Sequence, residues 1–328
     1  MSSPSFKKIG VMTSGGDSPG MNTAIRSVVR SCAYYKIKCV GIKMGYEGLI
    51  NNQMTELNAR SVKHIINRGG TFLKTARSDE FRTQEGRKLA FENYQKNELD
   101  GLIVIGGDGS FTGATIFHEE FNVPFIGLPG TIDNDIFGTD FTIGYDTALN
   151  TVIEAIDRIR DSATSHNRVF FVEVMGRDAG FIALNSGIAS GAQDILIPEI
   201  KDSLENLFES LQKSEQSGKN SSIVVVAEGE ELGSVYDLAK ATQQKFPDYE
   251  IRVTVLGHIQ RGGNPTCMDR VLASRLGVAA VEGLLEGKTD VMAGLRSNKI
   301  VYTPIRDAIK KHNEIDQELI KVAKILAI

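Results

Sequence analysis

The chain has 328 residues, of which 41% are hydrophobic and 24% charged, and its formal net charge is -4. This is the composition of an ordinary globular protein, and the length exceeds what one hydrophobic core usually organises, so we expect two domains. The mild acidity excludes a broad basic field for nucleic acid or an anionic membrane surface. We therefore expect neither nucleic acid nor a membrane as a partner, and any phosphate-binding site must be built from local clusters.

Cysteine usage and apolar runs bear on the cellular compartment. Cys32, Cys39 and Cys267 form neither a CxxC pair nor a disulfide framework, which is typical of a reducing environment. The first residues contain no hydrophobic signal-peptide core, and the longest apolar runs are far shorter than the ~20 residues of a membrane span. We expect a cytoplasmic protein.

Short apolar runs alternate with amphipathic stretches along the chain, and we interpret the runs as buried strands. Apolar residues at helical spacing predict a helix over Thr147–Ile159. This alternation implies α/β architecture with mostly parallel sheets, in which ligands bind at the carboxyl ends of strands. The predicted strands are Lys8–Thr13, Cys39–Lys43, Leu102–Ile105, Pro124–Leu128, Val169–Val174, Ile195–Ile197, Ile223–Ala227, Arg252–Leu256 and Lys299–Tyr302.

Gly15, Gly16 and Asp17 follow the first predicted strand and precede a helix that we expect to begin near Met21. In this layout, backbone N–H groups and the helix N-terminus can face a phosphate group. A plain glycine-rich turn between a strand and a helix explains the same residues, so both interpretations stay open at this loop.

A second loop, Gly106 to Ser110, has the sequence GGDGS and follows the predicted strand Leu102–Ile105. Its glycines permit close backbone approach to a phosphate, and Asp108 offers a hard oxygen ligand for Mg²⁺. The loop resembles those of phosphofructokinases, but also those of NAD kinases and lipid kinases. It therefore indicates phosphoryl transfer without naming the acceptor.

Two carboxylates, Asp133 and Asp135, follow the predicted strand Pro124–Leu128. A kinase needs a carboxylate to accept the proton of the attacking hydroxyl, and Asp133 is our candidate for this general base. A calcium loop is excluded, because Phe137 and Gly144 occupy positions where an EF-hand requires an oxygen ligand and a Glu. A solvated acidic turn remains an alternative.

Several basic side chains are candidates for binding an anion. His258 and Arg261 lie in a glycine-flanked loop directly after a predicted strand, which delivers an imidazole and a guanidinium together. Guanidinium groups bind phosphate oxygens in a bidentate way, although a single arginine is more often a solvated surface charge. Signatures of protein kinases, P-loop proteins, zinc hydrolases and serine hydrolases are missing. Further candidates of this kind are Arg168, Arg177 and Arg252.

Seven blocks occur in this order along the chain: TSGGDSPGMN, NRGGT, IGGDGS, PGTIDND, EAIDRIRD, EVMGR and GHIQRGG. Together they closely resemble the bacterial ATP-dependent 6-phosphofructokinases. The resemblance implies two Rossmann-like, three-layer α/β/α domains with the active site in the cleft between them. The larger, ATP-binding domain would comprise residues 1–143 and 260–310, and the smaller, fructose 6-phosphate-binding domain residues 144–259 and 311–328.

The resemblance also implies transfer of the ATP γ-phosphoryl group to the 1-hydroxyl of fructose 6-phosphate, the committed step of glycolysis, in a homotetramer. Asp133 matches the general base, Thr131 and Arg177 match groups that assist transfer, and Asp108 matches the Mg²⁺ ligand. The implied ATP site comprises Gly15, Arg77, Ser78, Gly107, Asp108, Gly109 and Ser110. The implied sugar-phosphate site comprises Thr131, Ile132, Asp133, Met175, Gly176, Arg177, Glu228, His258, Ile259, Gln260 and Arg261, with Arg168 and Arg252 supplied by a neighbouring subunit.

Two glycines bear on the phosphoryl donor. Pyrophosphate-using relatives typically carry Asp at the position of Gly109 and Lys at that of Gly130. An Asp side chain would fill space and add negative charge near the α-phosphate of ATP. Both glycines favour ATP, with a pyrophosphate-dependent phosphofructokinase and a non-catalytic regulatory subunit as the alternatives.

The resemblance further implies allosteric regulation by ADP or phosphoenolpyruvate-type effectors. Gln193 stands where the family usually has Glu, unless the match is displaced onto Asp194, and this places the direction of regulation in doubt. Ser78 is a second departure, since some relatives have Phe there. The residues that match the effector sites are Arg26, Arg30, Arg60, Arg160, Gln193 and Lys219.

Overall fold

The computed structural model of the protein describes residues 6–162, 168–217 and 221–327. Its strands are β1 (Lys8–Thr13), β2 (Lys38–Ile42), β3 (Met54–Leu57), β4 (Gly101–Gly106), β5 (Phe125–Pro129), β6 (Arg168–Val174), β7 (Asp194–Leu196), β8 (Ser221–Ala227), β9 (Glu250–Val255), β10 (Val291–Arg296) and β11 (Lys299–Pro304). Its α-helices are α1 (Met21–Tyr34), α2 (Gly45–Ile50), α3 (Gln84–Lys96), α4 (Asp108–Phe121), α5 (Tyr145–Ser162), α6 (Phe181–Ala189), α7 (Leu204–Gln216), α8 (Val235–Lys245), α9 (Cys267–Leu285), α10 (Ile305–Lys310) and α11 (Gln317–Leu326). Among the described residues, no helix is both long and apolar enough to cross a membrane.

The predicted α/β architecture with mostly parallel sheets is confirmed. Each predicted strand has a counterpart whose ends lie within two residues, and the predicted helix lies inside α5. The predicted strands do not include β3 and β10. In β3 only the last of four residues is buried, so this strand is not a continuous apolar run. In contrast, β10 begins with the apolar residues VMAGL, so leaving it out of the predicted strands was wrong.

The chain divides into two compact units. Unit 1 comprises Met1–Ile132, Ile136–Thr147 and Arg261–Asn313. Unit 2 comprises Asp133–Asp135, Ala148–Gln260 and Glu314–Ile328. Each unit has its own sheet, because the strands of the two sheets come from different parts of the chain.

Unit 1 contains a seven-stranded sheet with the order β11-β10-β5-β4-β1-β2-β3. Its neighbouring strands are parallel, except that β2 pairs with β3 and β10 with β11 in antiparallel fashion. Thr13 of β1 pairs with Ile105 of β4, and Gly106 of β4 pairs with Pro129 of β5. The loops that follow β1, β4 and β5 therefore begin at the same edge of the sheet.

Helices cover both faces of this sheet, because successive residues of its central strands are buried on opposite sides. Val11 packs into a core with α1 and α9, whereas its neighbour Met12 packs into a second core with α3 and α4. Fully buried side chains such as Phe111 and Phe117 fill the second core. Burial of one such side chain stabilises a fold by roughly 1.5–3 kcal/mol.

Unit 2 contains a four-stranded parallel sheet with the order β7-β8-β6-β9. Its central strand β8 contains a continuous buried apolar run, as expected for parallel strands that are covered on both faces. Phe171 of β6 packs with Leu207 of α7 on one face. Val174 pairs with Ala227, so β6 and β8 end level with each other.

The helices α1 and α9 of unit 1 approach closely at one point. A Cβ at Gly277 would lie 2.6 Å from the Cβ of Ser27, which is nearer than real side chains come. Oγ of Ser27 donates to the carbonyl oxygen of Ser274 at 2.6 Å in the same contact. The lack of a side chain at position 277 thus permits the close helix packing, although glycine is a poor helix former.

We expect Gly277→Ala to lower the free energy of unfolding by about 1–3 kcal/mol, because the added methyl group overpacks the contact between α1 and α9. Urea denaturation of the purified variant measures this change. In a double-mutant cycle, Ser27→Gly should couple favourably with Gly277→Ala, because it makes room for the methyl group. Additive effects of the two substitutions would contradict the packing explanation.

Candidate active site

The loop after β1 places Gly15 beside Ser110 and Gly16 beside Arg261, and all four residues belong to unit 1. Gly15 has a φ of 83°, and a Cβ there would lie 3.3 Å from Oγ of Ser110. Gly16 lies against the guanidinium group of Arg261, and a Cβ at position 16 would be 2.7 Å from Nη1. The same Nη1 donates to the carbonyl oxygen of Asp17 at 3.4 Å. Helix α1 begins where the sequence predicts it.

The GGDGS loop forms the N-terminus of α4. Asp108 is the first residue of this helix, and Gly107 precedes it as the N-cap. A Cβ at Gly106 would lie 2.5 Å from the carbonyl oxygen of Ser14, whereas a Cβ at Gly109 would meet no atom within 4 Å. Open space at a helix N-terminus suits an anion such as phosphate, because the N–H groups of the first turn lack helical partners.

The loop after β5 lies beside the GGDGS loop. The backbone N–H of Gly130 donates to the carbonyl oxygen of Gly106 at 3.0 Å. Thr131 follows, and its Cβ lies 3.9 Å from where a Cβ at position 107 would be. Ile132 is fully buried, so its side chain belongs to the protein interior.

Tyr46, to which no sequence pattern points, supports the GGDGS loop from α2. Its buried hydroxyl donates to the carbonyl oxygen of Ser110, and its ring stacks on Phe81 with centroids 4.0 Å apart. Burial raises the pKa of this hydroxyl far above its ordinary value, so Tyr46 stays protonated and remains a hydrogen-bond donor. A buried tyrosine in a short helix has the sequence appearance of a core residue, and only the structure shows its contact with the loop.

Arg77 and Ser78 lie in the segment before α3. Arg77 is exposed. Oγ of Ser78 donates to Oε2 of Glu47 at 2.7 Å and accepts from the backbone N–H of Phe81 at 3.3 Å. Ser78, predicted as a nucleotide contact, therefore directs its hydroxyl to partners within unit 1.

Asn22 joins two of the sequence blocks. Its amide group donates to the carbonyl oxygens of Arg68 and Gly69, both at 3.1 Å. Its Oδ1 accepts from the backbone N–H of Phe72 at 2.5 Å. Because the side chain is buried, these three bonds hold the NRGGT segment firmly against the first turn of α1. This role is not readable from the two blocks taken separately.

Asp133 and Arg177 lie together in unit 2. The Asp133 side chain is 2% exposed, and its Oδ2 lies 3.6 Å from Nε of Arg177. The Arg177 side chain is 62% exposed. The predicted general base is therefore buried beside a cation that reaches solvent, an arrangement suited to proton acceptance next to a phosphoryl group.

The backbone at Arg177 adopts a left-handed conformation, with a φ of 53°. Oε1 of Glu228 accepts from the backbone N–H groups of Arg177 at 2.7 Å and of Gly176 at 3.3 Å. These bonds stabilise a conformation that costs a non-glycine residue about 1 kcal/mol or more. Glu228, predicted as a sugar contact, thus also orients Arg177.

The other predicted sugar contacts of unit 2 differ in exposure. Gln260 is fully buried, its Oε1 accepts from the backbone N–H of Met175 at 3.2 Å, and its amide donates to Gly257 at 3.0 Å. Ile259 and His258 are exposed. The Gln260 side chain therefore joins the end of β6 to the turn after β9, whereas its two neighbours face solvent.

Glu250 joins the two arginines that the resemblance assigns to a neighbouring subunit. Its Oε2 accepts from Nε of Arg168 at 2.5 Å, and its Oε1 accepts from Nη2 of Arg252. Hydrogen bonds from Arg168 and then Arg252 lower the pKa of the Glu250 carboxyl. The strand pairing explains the contact, because Arg168 is directly opposite Glu250 in the ladder between β6 and β9.

Comparison with known proteins decides the family. A family profile described as Phosphofructokinase matches residues 8–284. The chain belongs to the phosphofructokinase family. A protein of Bacteroides thetaiotaomicron named ATP-dependent 6-phosphofructokinase 2 is 53% identical over 322 residues, which cover 98% of this chain and 99% of that protein. A protein of Thermus thermophilus named ATP-dependent 6-phosphofructokinase 1 is 52% identical over 323 residues, covering 98% and 100%.

Solved phosphofructokinase structures have the same fold. Phosphofructokinase from Saccharomyces cerevisiae matches with a TM-score of 0.90 and 36% identity over 98% of this chain, which spans 50% of the yeast chain. A pyrophosphate-dependent phosphofructokinase from Marinobacter aquaeolei matches with a TM-score of 0.84, covering 98% of this chain and 91% of that one. At 20% identity, this second likeness shows the fold alone.

The predicted effector residues of this phosphofructokinase fall in both units. Lys219 lies outside the described residues. In unit 1, Arg26 and Arg30 are one helical turn apart on α1, and burial together with the charge of Arg30 lowers the pKa of Arg26. Arg60 is exposed. Arg26 and Arg30 therefore form a local concentration of positive charge of the kind that binds phosphate.

Two further effector candidates of unit 2 bond to the protein itself. Arg160 donates to the carbonyl oxygens of Ser190 and Gly191 at the C-terminus of α6. Nε2 of Gln193 donates to the carbonyl oxygen of Ala327 at 2.8 Å, just after α11. The Gln193 amide thus links the start of β7 to the residue that follows the C-terminal helix.

Asp194, the neighbour of Gln193, lines a cavity of about 600 Å³ in unit 2. Burial raises the pKa of its carboxyl to about 6. The charge of Asp202 adds to the shift, whereas hydrogen bonds from Ile195 and Ser210 and the charge of Lys324 oppose it. Ionisation of Asp194 is therefore less favourable in the folded protein than in the unfolded chain.

Asp194→Asn should raise the free energy of unfolding at pH 7 by about 1–3 kcal/mol. The folded-state pKa of Asp194 lies above the ordinary value of 3.8, so the protonated carboxyl contributes stability that is lost as the pH rises through about 6. The neutral amide removes this dependence. Urea denaturation at pH 5 and pH 7 measures it, with Glu209→Gln in the same cavity as the control. Equal stability of Asp194→Asn and wild type at pH 7 would refute the expectation.

Proposed function

We propose that this protein is an ATP-dependent 6-phosphofructokinase, which transfers the γ-phosphoryl group of ATP to the 1-hydroxyl of fructose 6-phosphate and yields fructose 1,6-bisphosphate and ADP. The observation that carries the proposal is the buried Asp133 beside the exposed Arg177, in a chain whose full-length relatives bear that name. A hydroxyl group that accepts a phosphoryl group requires a base to take its proton. The negative charge on the transferring phosphoryl group requires a cation nearby.

In the proposed mechanism, the Asp133 carboxylate accepts the proton of the 1-hydroxyl as that oxygen forms its bond to the γ-phosphorus. The bond between this phosphorus and the β,γ-bridging oxygen breaks, and ADP leaves. Arg177 binds the oxygens of the transferring group and neutralises their charge. Glu228 keeps the Arg177 backbone in the conformation that presents its side chain.

Asp133→Asn should lower kcat by at least ~10²–10⁴, with little change in KM for fructose 6-phosphate, because the amide keeps the shape of the carboxylate and cannot accept the proton. Steady-state kinetics with a coupled assay of ADP formation measures both constants. Asp140→Asn, in the same loop after β5, is the matched control and should keep its turnover; Asp140 bonds to the backbone of Ser297. Near-normal turnover of Asp133→Asn would exclude this residue as the base.

Asp108 is the residue that would hold Mg²⁺. Asp108 is the first residue of α4 and precedes Gly109 in the chain, and one of its carboxylate oxygens lies within 4.8 Å of a ring nitrogen of His312. A carboxylate together with phosphate oxygens is the donor set that Mg²⁺ prefers, so the residues fit the ion. Bound there, Mg²⁺ would neutralise charge on the nucleotide phosphates.

The glycines near the GGDGS loop support ATP as the donor. Open space at Gly109 leaves room for a nucleotide phosphate. At Gly130, a Cβ would lie 3.1 Å from side-chain atoms of Ile105 and Met21, so a lysine there would require these neighbours to move. Position 130 is therefore sterically unfavourable for the lysine of pyrophosphate-using relatives, whereas an Asp at position 109 would fit and would place its negative charge in the space for the phosphate.

Gly109→Asp should raise KM for ATP at least tenfold, because a carboxylate would occupy the space for a phosphate and repel it. The fold should be unaffected, since a Cβ at position 109 would meet no atom within 4 Å. Parallel assays with ATP and with pyrophosphate, each with fructose 6-phosphate and Mg²⁺, test the donor for wild type and variant. Turnover of the wild type with pyrophosphate instead of ATP would refute the donor assignment, and no turnover with either donor would favour a regulatory subunit.

The remaining assignments belong to the same proposal. The sugar phosphate would contact the residues of unit 2 described above, with Arg168 and Arg252 acting across a subunit boundary of a homotetramer. The exposed position of Arg252 on the edge strand β9 supports this assignment. The protein would act in the cytoplasm. ADP or phosphoenolpyruvate-type effectors would bind at Arg26, Arg30, Arg60, Arg160, Gln193 and Lys219.

A further inference from the structure

One buried carboxylate of unit 1, that of Asp269, connects two helix N-termini. Asp269 lies in the first turn of α9 and is 1% exposed. Its Oδ1 accepts from the backbone N–H of Gly144 at 2.8 Å. Its Oδ2 accepts from the backbone N–H of Thr147 at 2.8 Å and from Oγ1 of Thr147 at 2.5 Å. A side chain of α9 therefore satisfies the first N–H groups of α5, which have no helical partners.

A second set of hydrogen bonds runs between the same two helix starts. Thr266, the N-cap of α9, donates its backbone N–H to Oγ1 of Thr147 at 3.0 Å. Its hydroxyl donates to Oδ2 of Asp146 at 2.5 Å. The Thr147 hydroxyl thus accepts from one residue of α9 and donates to another, so its position is determined from both directions.

The loop that leads into α1 packs onto this junction. Gly20 has a φ of 108°, and a Cβ there would lie 2.7 Å from Cγ2 of Ile143 and 3.7 Å from Cβ of Asp269. A Cβ at Gly144 would lie 2.6 Å from Cβ of Ser18. No side chain fits at either glycine, so the starts of α1, α5 and α9 meet around Asp269.

The Asp269 carboxylate is poorly explained as a device for stability alone. Burial raises its pKa to about 6 even though the hydrogen bonds from Thr147 and Gly144 oppose the shift, and the charge of Asp146 adds to it. Burying a charged carboxylate costs free energy, which the hydrogen bonds to the carboxylate must offset. The carboxylate instead determines where α5 begins relative to α9, because its two oxygens accept three hydrogen bonds from the start of α5.

Each of the three helices begins directly after a loop that holds candidate ligand residues. Gly15 precedes α1, Thr131 precedes α5, and Arg261 precedes α9. In addition, the chain passes from unit 1 to unit 2 after Thr147 and returns at Arg261. The hydrogen bonds around Asp269 therefore fix the residues of unit 1 that adjoin both crossings. An error in the position of Asp269 would therefore move the three loops relative to one another.

We propose that Asp269 is a positioning residue for phosphoryl transfer: by joining the starts of α5 and α9 beneath α1, it holds the phosphate, acceptor and sugar-phosphate loops of unit 1 in register. The inference rests on the proposed phosphofructokinase activity. Misplacing reacting groups by about 1 Å costs up to ~10²-fold in rate, so loss of this junction lowers kcat rather than substrate affinity.

The test compares matched substitutions at two residues. Asp269→Asn keeps the shape and replaces an acceptor by an amide that cannot accept from three donors. Thr147→Val removes one hydroxyl bond to Asp269, whereas Thr147→Ser retains it. The control is Asp100→Asn, because the Asp100 carboxylate also accepts two backbone N–H groups, those of Lys7 and Lys8, but lies at the opposite ends of the strands.

Measurements are kcat and KM in the coupled assay, at a temperature below the unfolding midpoint of every variant, with ATP-binding stoichiometry from calorimetry as the count of competent chains. We expect Asp269→Asn and Thr147→Val to lower kcat per competent chain by about 10- to 100-fold with KM changed little. Thr147→Ser and Asp100→Asn should keep the wild-type kcat. If Asp269→Asn does not fold, the Thr147 pair decides.

Unchanged kcat per competent chain in both Asp269→Asn and Thr147→Val, with only a lower unfolding midpoint, would overturn the inference and leave a structural role. A similar loss of kcat in Asp100→Asn would also overturn it, since loss of stability alone would then explain the effect. An inactive wild type would instead refute the proposed function itself, together with the inference that rests on it.

Discussion

The level carboxyl ends of β1, β4 and β5 are the constraint on which the candidate site of unit 1 depends. The ladder continues past the strands, because the N–H of Ser14 donates to Ile105 and that of Gly130 to Gly106, both at 3.0 Å. Backbone bonds thereby hold the three loops side by side where they begin. Where the loops after β1 and β5 end, at the starts of α1 and α5, the contacts around Asp269 take over this task. The glycines follow from the same constraint, since at Gly106 a side chain would collide with the neighbouring loop. The loops with candidate ligand residues lie together at this edge because the strand register makes β1, β4 and β5 end level with one another.

In unit 2, some residues at positions that match substrate contacts of the family also stabilise the local conformation of the protein. Glu228 holds the backbone of Arg177 in its left-handed conformation, and Gln260 is buried between β6 and the turn after β9. Glu250 likewise holds Arg168 and Arg252 together before any ligand arrives. A site assembled in this way is preorganised, because the entropy of ordering its side chains is lost on folding rather than on binding. Kinetic effects of substitutions at these residues will therefore combine binding with local structure.

The sequence was sufficient for the architecture and for the loops that carry chemistry, because apolar strands and glycine-rich turns are local patterns. It was insufficient for β3, which lacks an apolar run and depends on pairing with β2. Tyr46, Asn22, Glu250 and Asp269 also escaped prediction, because each acts through a backbone group or side chain distant in sequence. Such contacts leave no local periodicity. Partners separated by 46 residues in one case and 125 in another become visible only once the fold brings them together.

The contact between Gly16 and Arg261 has a consequence for evolution and for engineering. Position 16 belongs to the loop after β1, whereas Arg261 comes from the loop before α9, yet any side chain at position 16 displaces the guanidinium group. In a mutational library, changes at Gly16 would therefore appear as changes in whatever Arg261 binds, which we propose is the sugar phosphate, although the two residues are distant in sequence. Because the atoms met at position 16 are the far end of a flexible side chain, Arg261 can yield to a small residue there by turning away. Glycine at position 16 is thus needed only as long as the arginine must keep this one orientation.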